Sequence, residues 1–154
     1  MKNKQKMIAG FLKLLTAVLA VMGVVFFSGM TYFEILHVGK IGCPALAFTW
    51  YSALLCYLIL FQFYKVTQEI GKDNSFSLEN RNSFHRMGQF SLAACVGFFV
   101  HLLYDIVFLA NPIFAIFLHI FLILLSLIFF GLCEALSQLI ENAYQVKLEN
   151  ELTI

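Results

Sequence analysis

Four uninterrupted apolar stretches, each long enough to cross a bilayer as a helix, constrain this chain more than any other feature. A membrane-spanning helix needs roughly 20 largely apolar residues. The first stretch runs from about Met7 to Phe33, broken only by Lys13, and the second covers Ala45 to Tyr64 without a formal charge. The third runs from about Met87 to Ala110 and carries His101 and Asp105. The fourth runs from Ile113 to Cys133, with His119 as its one ionisable group before the terminal cysteine. Spanning strands alternate apolar and polar positions, and these runs are continuous, so helices are expected. With 61% hydrophobic and 12% charged residues, against about 25% charged in soluble domains, the chain cannot be an ordinary soluble fold or a disordered segment. A net charge of +1 offers no basic face to nucleic acid, and no direct nucleic-acid binding is expected. The expectation is an all-α, integral membrane, four-helix transmembrane bundle forming a single domain over residues 1–154.

Lys2, Lys4 and Lys6 would suit the start of a signal peptide, but the apolar run is too long and no A-x-A site follows it. The stretch Lys40-Ile41-Gly42-Cys43 has lysine where a lipoprotein cleavage box needs an aliphatic residue, and it lies too far along the chain. An anchored first span is therefore expected. Orientation follows from lysine and arginine in short loops. Lys2, Lys4, Lys6 and Lys13 precede or enter span one, Lys65, Lys72, Arg81 and Arg86 lie between spans two and three, and Lys147 is in the tail. Only Lys40 of the ten basic residues falls on the other side. Both termini, the loop over 65–86 and the tail over 134–154 are expected in the cytoplasm.

The outer connections, Glu34 to Pro44 and Asn111-Pro112, are too short for an external domain. In the central loop, Gly71-Lys72-Asp73-Asn74 reads as a helix stop and turn, and Ser77 as an N-cap with Glu79 in the first turn. Past Cys133 the helical pattern continues as an amphipathic extension, with Leu132, Leu136, Leu139, Ile140 and Ala143 on one face and Ser137, Gln138, Glu141, Asn142 and Gln145 on the other. It lacks the Lys/Arg-rich face of a lipid-binding helix, which favours contact with protein.

Two cytoplasmic stretches carry a resemblance. Ile70-Gly71-Lys72-Asp73-Asn74-Ser75-Phe76-Ser77 with Glu79-Asn80, and Asn142-Ala143-Tyr144-Gln145-Val146-Lys147 with Glu149-Asn150-Glu151-Leu152-Thr153-Ile154, resemble the central-loop and C-terminal signatures of the bacterial domain-of-unknown-function family 2975. The chain departs from the family pattern between spans three and four, where a longer acidic connection shrinks to Leu109-Ala110-Asn111-Pro112. The resemblance implies an uncharacterised bacterial inner-membrane protein of four spans. It also implies a genetic neighbour, a small Cro/CI-type helix-turn-helix regulator, and hence a membrane protein that binds or informs such a regulator. It supplies no catalytic residues.

Under that reading the partner-binding residues are Phe76, Ser77, Glu79, Asn80 and Arg81, with Glu149, Glu151, Leu152 and Ile154. The competing reading is a small transporter or proton-linked channel subunit built on the intramembrane polar residues His101, Asp105 and His119. His101 and Asp105 are four apart and share a helix face; His101 and His119 reach similar depth if spans three and four pair antiparallel. An ionisable group inside a bilayer is costly and is a functional candidate by default. The plainer view, preferred on sequence, makes His101 a neutral hydrogen-bonding group and Asp105 an interfacial residue near the outer end. His37 and Glu34 could also approach that face, but no H-x-x-x-H or C-x-x-C pattern supports a metal site, and no metal or cofactor is expected. His85 reads as a solvated loop residue, and Cys56, Cys95 and Cys133 as small buried apolar groups. Tyr32, Phe33, Trp50, Tyr51, Tyr64 and Tyr104 suit an aromatic belt. Gly23, Gly29, Gly88, Gly97 and Gly131 permit close helix approach and leave room for a homo-oligomer. No nucleophile elbow, phosphate loop or catalytic carboxylate pair is present, so no enzyme is expected.

Overall fold

Continuous apolar runs become continuous helices, because within a bilayer a helix satisfies its own backbone. The computed structural model describes residues 2–36, 43–108 and 113–152. They form four helices: α1 (Lys2–Leu36), α2 (Cys43–Gly71), α3 (Leu78–Phe108) and α4 (Ile113–Leu152). All four are long and apolar enough to cross a membrane. The chain is a multi-pass membrane protein. Lys40, His37 and the Asn111-Pro112 turn lie outside the described residues.

Consecutive helices pack in order, α1 on α2, α2 on α3 and α3 on α4, with the α3–α4 seam the most extensive. The side-chain distribution is inverted relative to a soluble protein. Phe11, Val18, Val25, Leu54, Val100, Phe117 and Leu124 face outward, while Thr16, Glu34, Thr49, Gln62, Ser91, Asp105 and His119 are buried. Lipid is as apolar as leucine, so helix association in a bilayer depends on close packing and interhelical hydrogen bonds.

Those hydrogen bonds recur at small residues. Tyr57 of α2 lies over Gly23 of α1 and donates to the Ala20 carbonyl at 2.9 Å. Tyr51 of α2 lies over Gly97 of α3 and donates to the Ala93 carbonyl at 2.7 Å. A Cβ on Gly97 would collide with the Tyr51 ring. Tyr51 is thus a helix latch. On the next seam Ser91 donates to the Ser126 carbonyl at 2.8 Å.

Most of the central loop is helical. α2 extends past Tyr64 to Gly71, and α3 starts at Leu78, so the connection itself is residues 72–77. It opens with a Schellman turn: Asn74 N–H donates to the Glu69 carbonyl at 3.0 Å and Asp73 N–H to the Ile70 carbonyl at 3.2 Å. Asp73 takes the left-handed position, φ 67°, and Gly71 remains helical. The Glu69 carboxylate braces the turn by accepting from Lys72 at 2.6 Å and Asn74 at 3.0 Å. The bonds from Lys72 and then Asn74 hold Glu69 below the usual carboxylate range. Ser77 is the N-cap of α3, its hydroxyl accepting from the Asn80 N–H at 3.2 Å.

At 40 residues, α4 is about 60 Å long, twice the ~30 Å hydrocarbon core. Its second half lies along the start of α3. Arg81 pairs with Glu141 at 2.7 Å, His85 with Glu134 at 2.8 Å, and Ser137 donates to the Arg81 carbonyl at 3.2 Å. His85 is therefore an ordered residue of α3 and not a loop residue. The face of α4 turned to α3 carries Cys133, Ser137 and Ile140; Leu132, Leu136 and Leu139 point away. Of the three cysteines expected inside, only Cys133 is buried, and Cys56 is exposed.

Candidate functional site

The antiparallel α3–α4 seam brings His101 and His119 to one level near the end of the bundle opposite the described chain ends. Asp105, one turn further along α3, joins them. His101 Nδ1 lies 3.0 Å from His119 Nε2. The rings stack with centroids 5.0 Å apart. His119 Nδ1 lies 2.8 Å from the Ala115 carbonyl oxygen. A carbonyl only accepts, so Nδ1 of His119 carries a proton and donates it. In neutral His119 the Nε2 is then an acceptor, and Nδ1 of His101 is the donor to it. Nε2 of His101 is left buried without a hydrogen-bond partner.

Asp105 is 4% exposed: it stands near the end of α3 and is turned inward. One carboxylate oxygen is 3.4 Å from His101 Nδ1 and 3.5 Å from His119 Nδ1. Both distances exceed the 2.7–2.9 Å usual for a charge-assisted hydrogen bond. The ligating atoms of His101, Asp105 and His119 all lie within 4.8 Å of one another.

The surrounding helices complete the site. Phe48 of α2 stacks on His101, centroids 4.1 Å apart. Thr49, its neighbour, donates to Glu34 Oε1 of α1 at 2.6 Å, while Glu34 Oε2 is buried without a hydrogen-bond partner. His101 lines an open cleft between α2 and α3 with Phe48, Tyr51, Val100 and Tyr104. No lysine or arginine occurs between Met87 and Val146. Two buried carboxylates, Glu34 and Asp105, thus share one end of the bundle with two imidazoles.

A model of a family of proteins of unknown function matches residues 10–154, nearly the whole chain. The chain belongs to the DUF2975 family. No curated protein and no solved structure matches it. Both stretches that carry the resemblance lie within the DUF2975 match.

In this DUF2975 chain the residues expected to bind a partner divide by exposure. Ser77 and Asn80 are buried and serve the turn, the Asn80 amide donating to the Ser75 carbonyl at 2.9 Å. Phe76 is 57% exposed and Glu79 is exposed. Arg81 is half-buried against Glu141. Glu149 is exposed on α4. The side chains of Glu151 and Leu152, and all of Ile154, lie outside the described residues. Sequence reasoning paired His101, Asp105 and His119 correctly but missed Phe48 and Thr49, which resemble any apolar or small residue of a span. It named Glu34 as able to approach the outer face while placing it in the outer connection; the structure puts it in the last turn of α1.

Proposed function

We propose that this protein is a non-enzymatic regulatory membrane protein that binds a small helix-turn-helix transcription regulator at its cytoplasmic face. The observation that carries this reading is the second half of α4. It extends well past the length a bilayer needs, it is braced on α3 by Arg81–Glu141 and His85–Glu134, and it leaves Leu136, Leu139 and Val146 exposed on its free side. Exposed Phe76 stands on the neighbouring turn. An ordered helix with an unoccupied apolar stripe suits docking to a helical partner. Nine of the ten basic residues lie at this end, which supports a bacterial inner-membrane orientation with both termini inside. The class of partner rests on the family resemblance.

The test is a pull-down of tagged protein from crosslinked native membranes, read by mass spectrometry. Recovery of a helix-turn-helix regulator, reduced by deleting residues 149–154 or by Leu139→Glu, supports the reading. Recovery of the protein alone with an accessible tag overturns it. The second reading, a small transporter or proton-linked channel subunit, is favoured by one observation: His101, Asp105 and His119 meet between the helices. Absence of flux in proteoliposomes under every imposed gradient would remove it.

A further inference from the structure

The cluster near the far end of the bundle raises a problem of charge. Glu34 is 7% exposed and Asp105 4%, in a setting where a buried carboxylate needs compensation. Neither has a lysine or arginine paired with it among the described residues. Among the described residues the imidazoles, a bound ion or a proton on a carboxyl can offset that charge; Lys40 lies outside them.

We propose that His101 Nδ1, His119 Nε2 and the Asp105 carboxylate bind a divalent first-row transition ion, with Zn²⁺ the best match. Three features of the geometry support this. First, the donor spacing fits. Ligands at 2.0–2.1 Å on a tetrahedral ion lie about 3.3–3.4 Å apart. The two histidine nitrogens are 3.0 Å apart, Asp105 is 3.4 Å from His101 Nδ1, and the three ligating atoms lie within 4.8 Å of one another, so a small shift of the Asp105 carboxylate toward His119 Nε2 completes the set. Second, His119 is oriented as metal-binding histidines are. Its Nδ1–H is held by the Ala115 carbonyl, which aims the Nε2 lone pair at the cluster. Third, a dication would offset the Asp105 and Glu34 carboxylates, neither of which has a lysine or arginine paired with it among the described residues. Two imidazoles and a carboxylate form a borderline donor set that suits zinc, iron, nickel or copper over magnesium or calcium. His101 takes its other tautomer on binding, with the proton on Nε2. The cleft between α2 and α3 that His101 lines is the route of access. A fourth position remains for water or an exogenous ligand, which distinguishes this site from a closed structural one.

The experiment uses the full-length protein in lipid nanodiscs, stripped with chelator and titrated with Co²⁺ and then Zn²⁺. One Co²⁺ per chain is expected, with the visible absorption of a four-coordinate nitrogen–oxygen site and no thiolate charge-transfer band. Zn²⁺ should displace it. His119→Ala and Asp105→Asn should each weaken binding at least 10–100-fold, the loss typical even of outer-sphere partners; His85→Ala, on the opposite end, should not change it. Zn²⁺ should also raise the unfolding temperature of the unaltered protein and leave that of Asp105→Asn where it was. Failure of the unaltered protein to bind either ion overturns the proposal, as does binding that survives both substitutions or that shows a thiolate band. If His119→Ala does not fold, Asp105→Asn and the Co²⁺ spectrum decide the matter. Regulator capture is measured separately, so either proposal can fail without the other.

Discussion

Gly97→Ala tests whether tyrosine latches hold these helices together. Tyr51 lies flat against Gly97, and a Cβ there would overlap its ring, so Tyr51 must leave or the helices must part. Overpacking of this kind costs about 1–3 kcal/mol. Displacing Tyr51 also breaks its 2.7 Å bond to the Ala93 carbonyl, worth about 0.6 kcal/mol and at most about 1.7 in a membrane protein. Alanine returns up to about 1 kcal/mol through helix propensity. The net expectation is a loss of roughly 1–3 kcal/mol. Tyr51→Phe removes the hydroxyl and keeps the ring, so it should cost only the hydrogen bond. The decisive quantity is the double substitution. If the latch is one unit, Tyr51→Phe costs nothing once Gly97→Ala has broken the bond, and the coupling equals the single Tyr51→Phe loss. Steric-trap unfolding in bicelles measures all four proteins on one scale. Strict additivity, or a Gly97→Ala protein as stable as the parent, would refute the latch.

Ser77→Ala removes the N-cap of α3 and should cost about 1 kcal/mol, seen as faster amide exchange over Leu78–Arg81. Reversing Arg81 or Glu141 alone should loosen the second half of α4, and reversing both should restore it; at about a third exposed on each side, the pair is worth no more than about 1 kcal/mol, so the readout is exchange over residues 141–150 and not the melting point. Glu69 has a lowered pKa in the folded protein, so its contribution is present above the ordinary carboxylate value and is lost as pH falls through the lowered one. Glu69→Gln should lack that contribution at neutral pH and show a flatter acid limb in unfolding, while identical acid limbs in the two proteins would contradict the brace.

What could be read from this sequence, and what could not, divides along one physical line. Spans are set by summed apolar area over about 20 residues, a local property, so all four helices were legible, and so was the cap at Ser77, whose signal sits within four residues. The stop after α2 was legible in place but not in mechanism: glycine usually takes the left-handed position, yet here Asp73 takes it and Gly71 packs against Ala9 of α1. The amphipathic pattern of the α4 extension was legible, but not which of its faces meets α3. Periodicity finds the apolar face, and in water that face goes inward. In this protein the seam that continues out of the membrane is built of small and polar groups, Cys133, Ser137, the His85–Glu134 contact and the Arg81–Glu141 ion pair, so the leucines are left outside. The members of the His–Asp cluster were legible, His101 and Asp105 by their i, i+4 spacing and His119 by its depth in an antiparallel pair. No familiar metal motif marks the cluster, because its third member is a single histidine on α4, joined to the His–Asp pair of α3 only by the register of the seam. That register follows from pairs such as Ser91–Ser126 and His85–Glu134, which no local pattern announces. Polar residues in long apolar runs are therefore best read as seam markers first: aligning them across candidate antiparallel pairs yields the register, and the register then shows which ionisable groups meet.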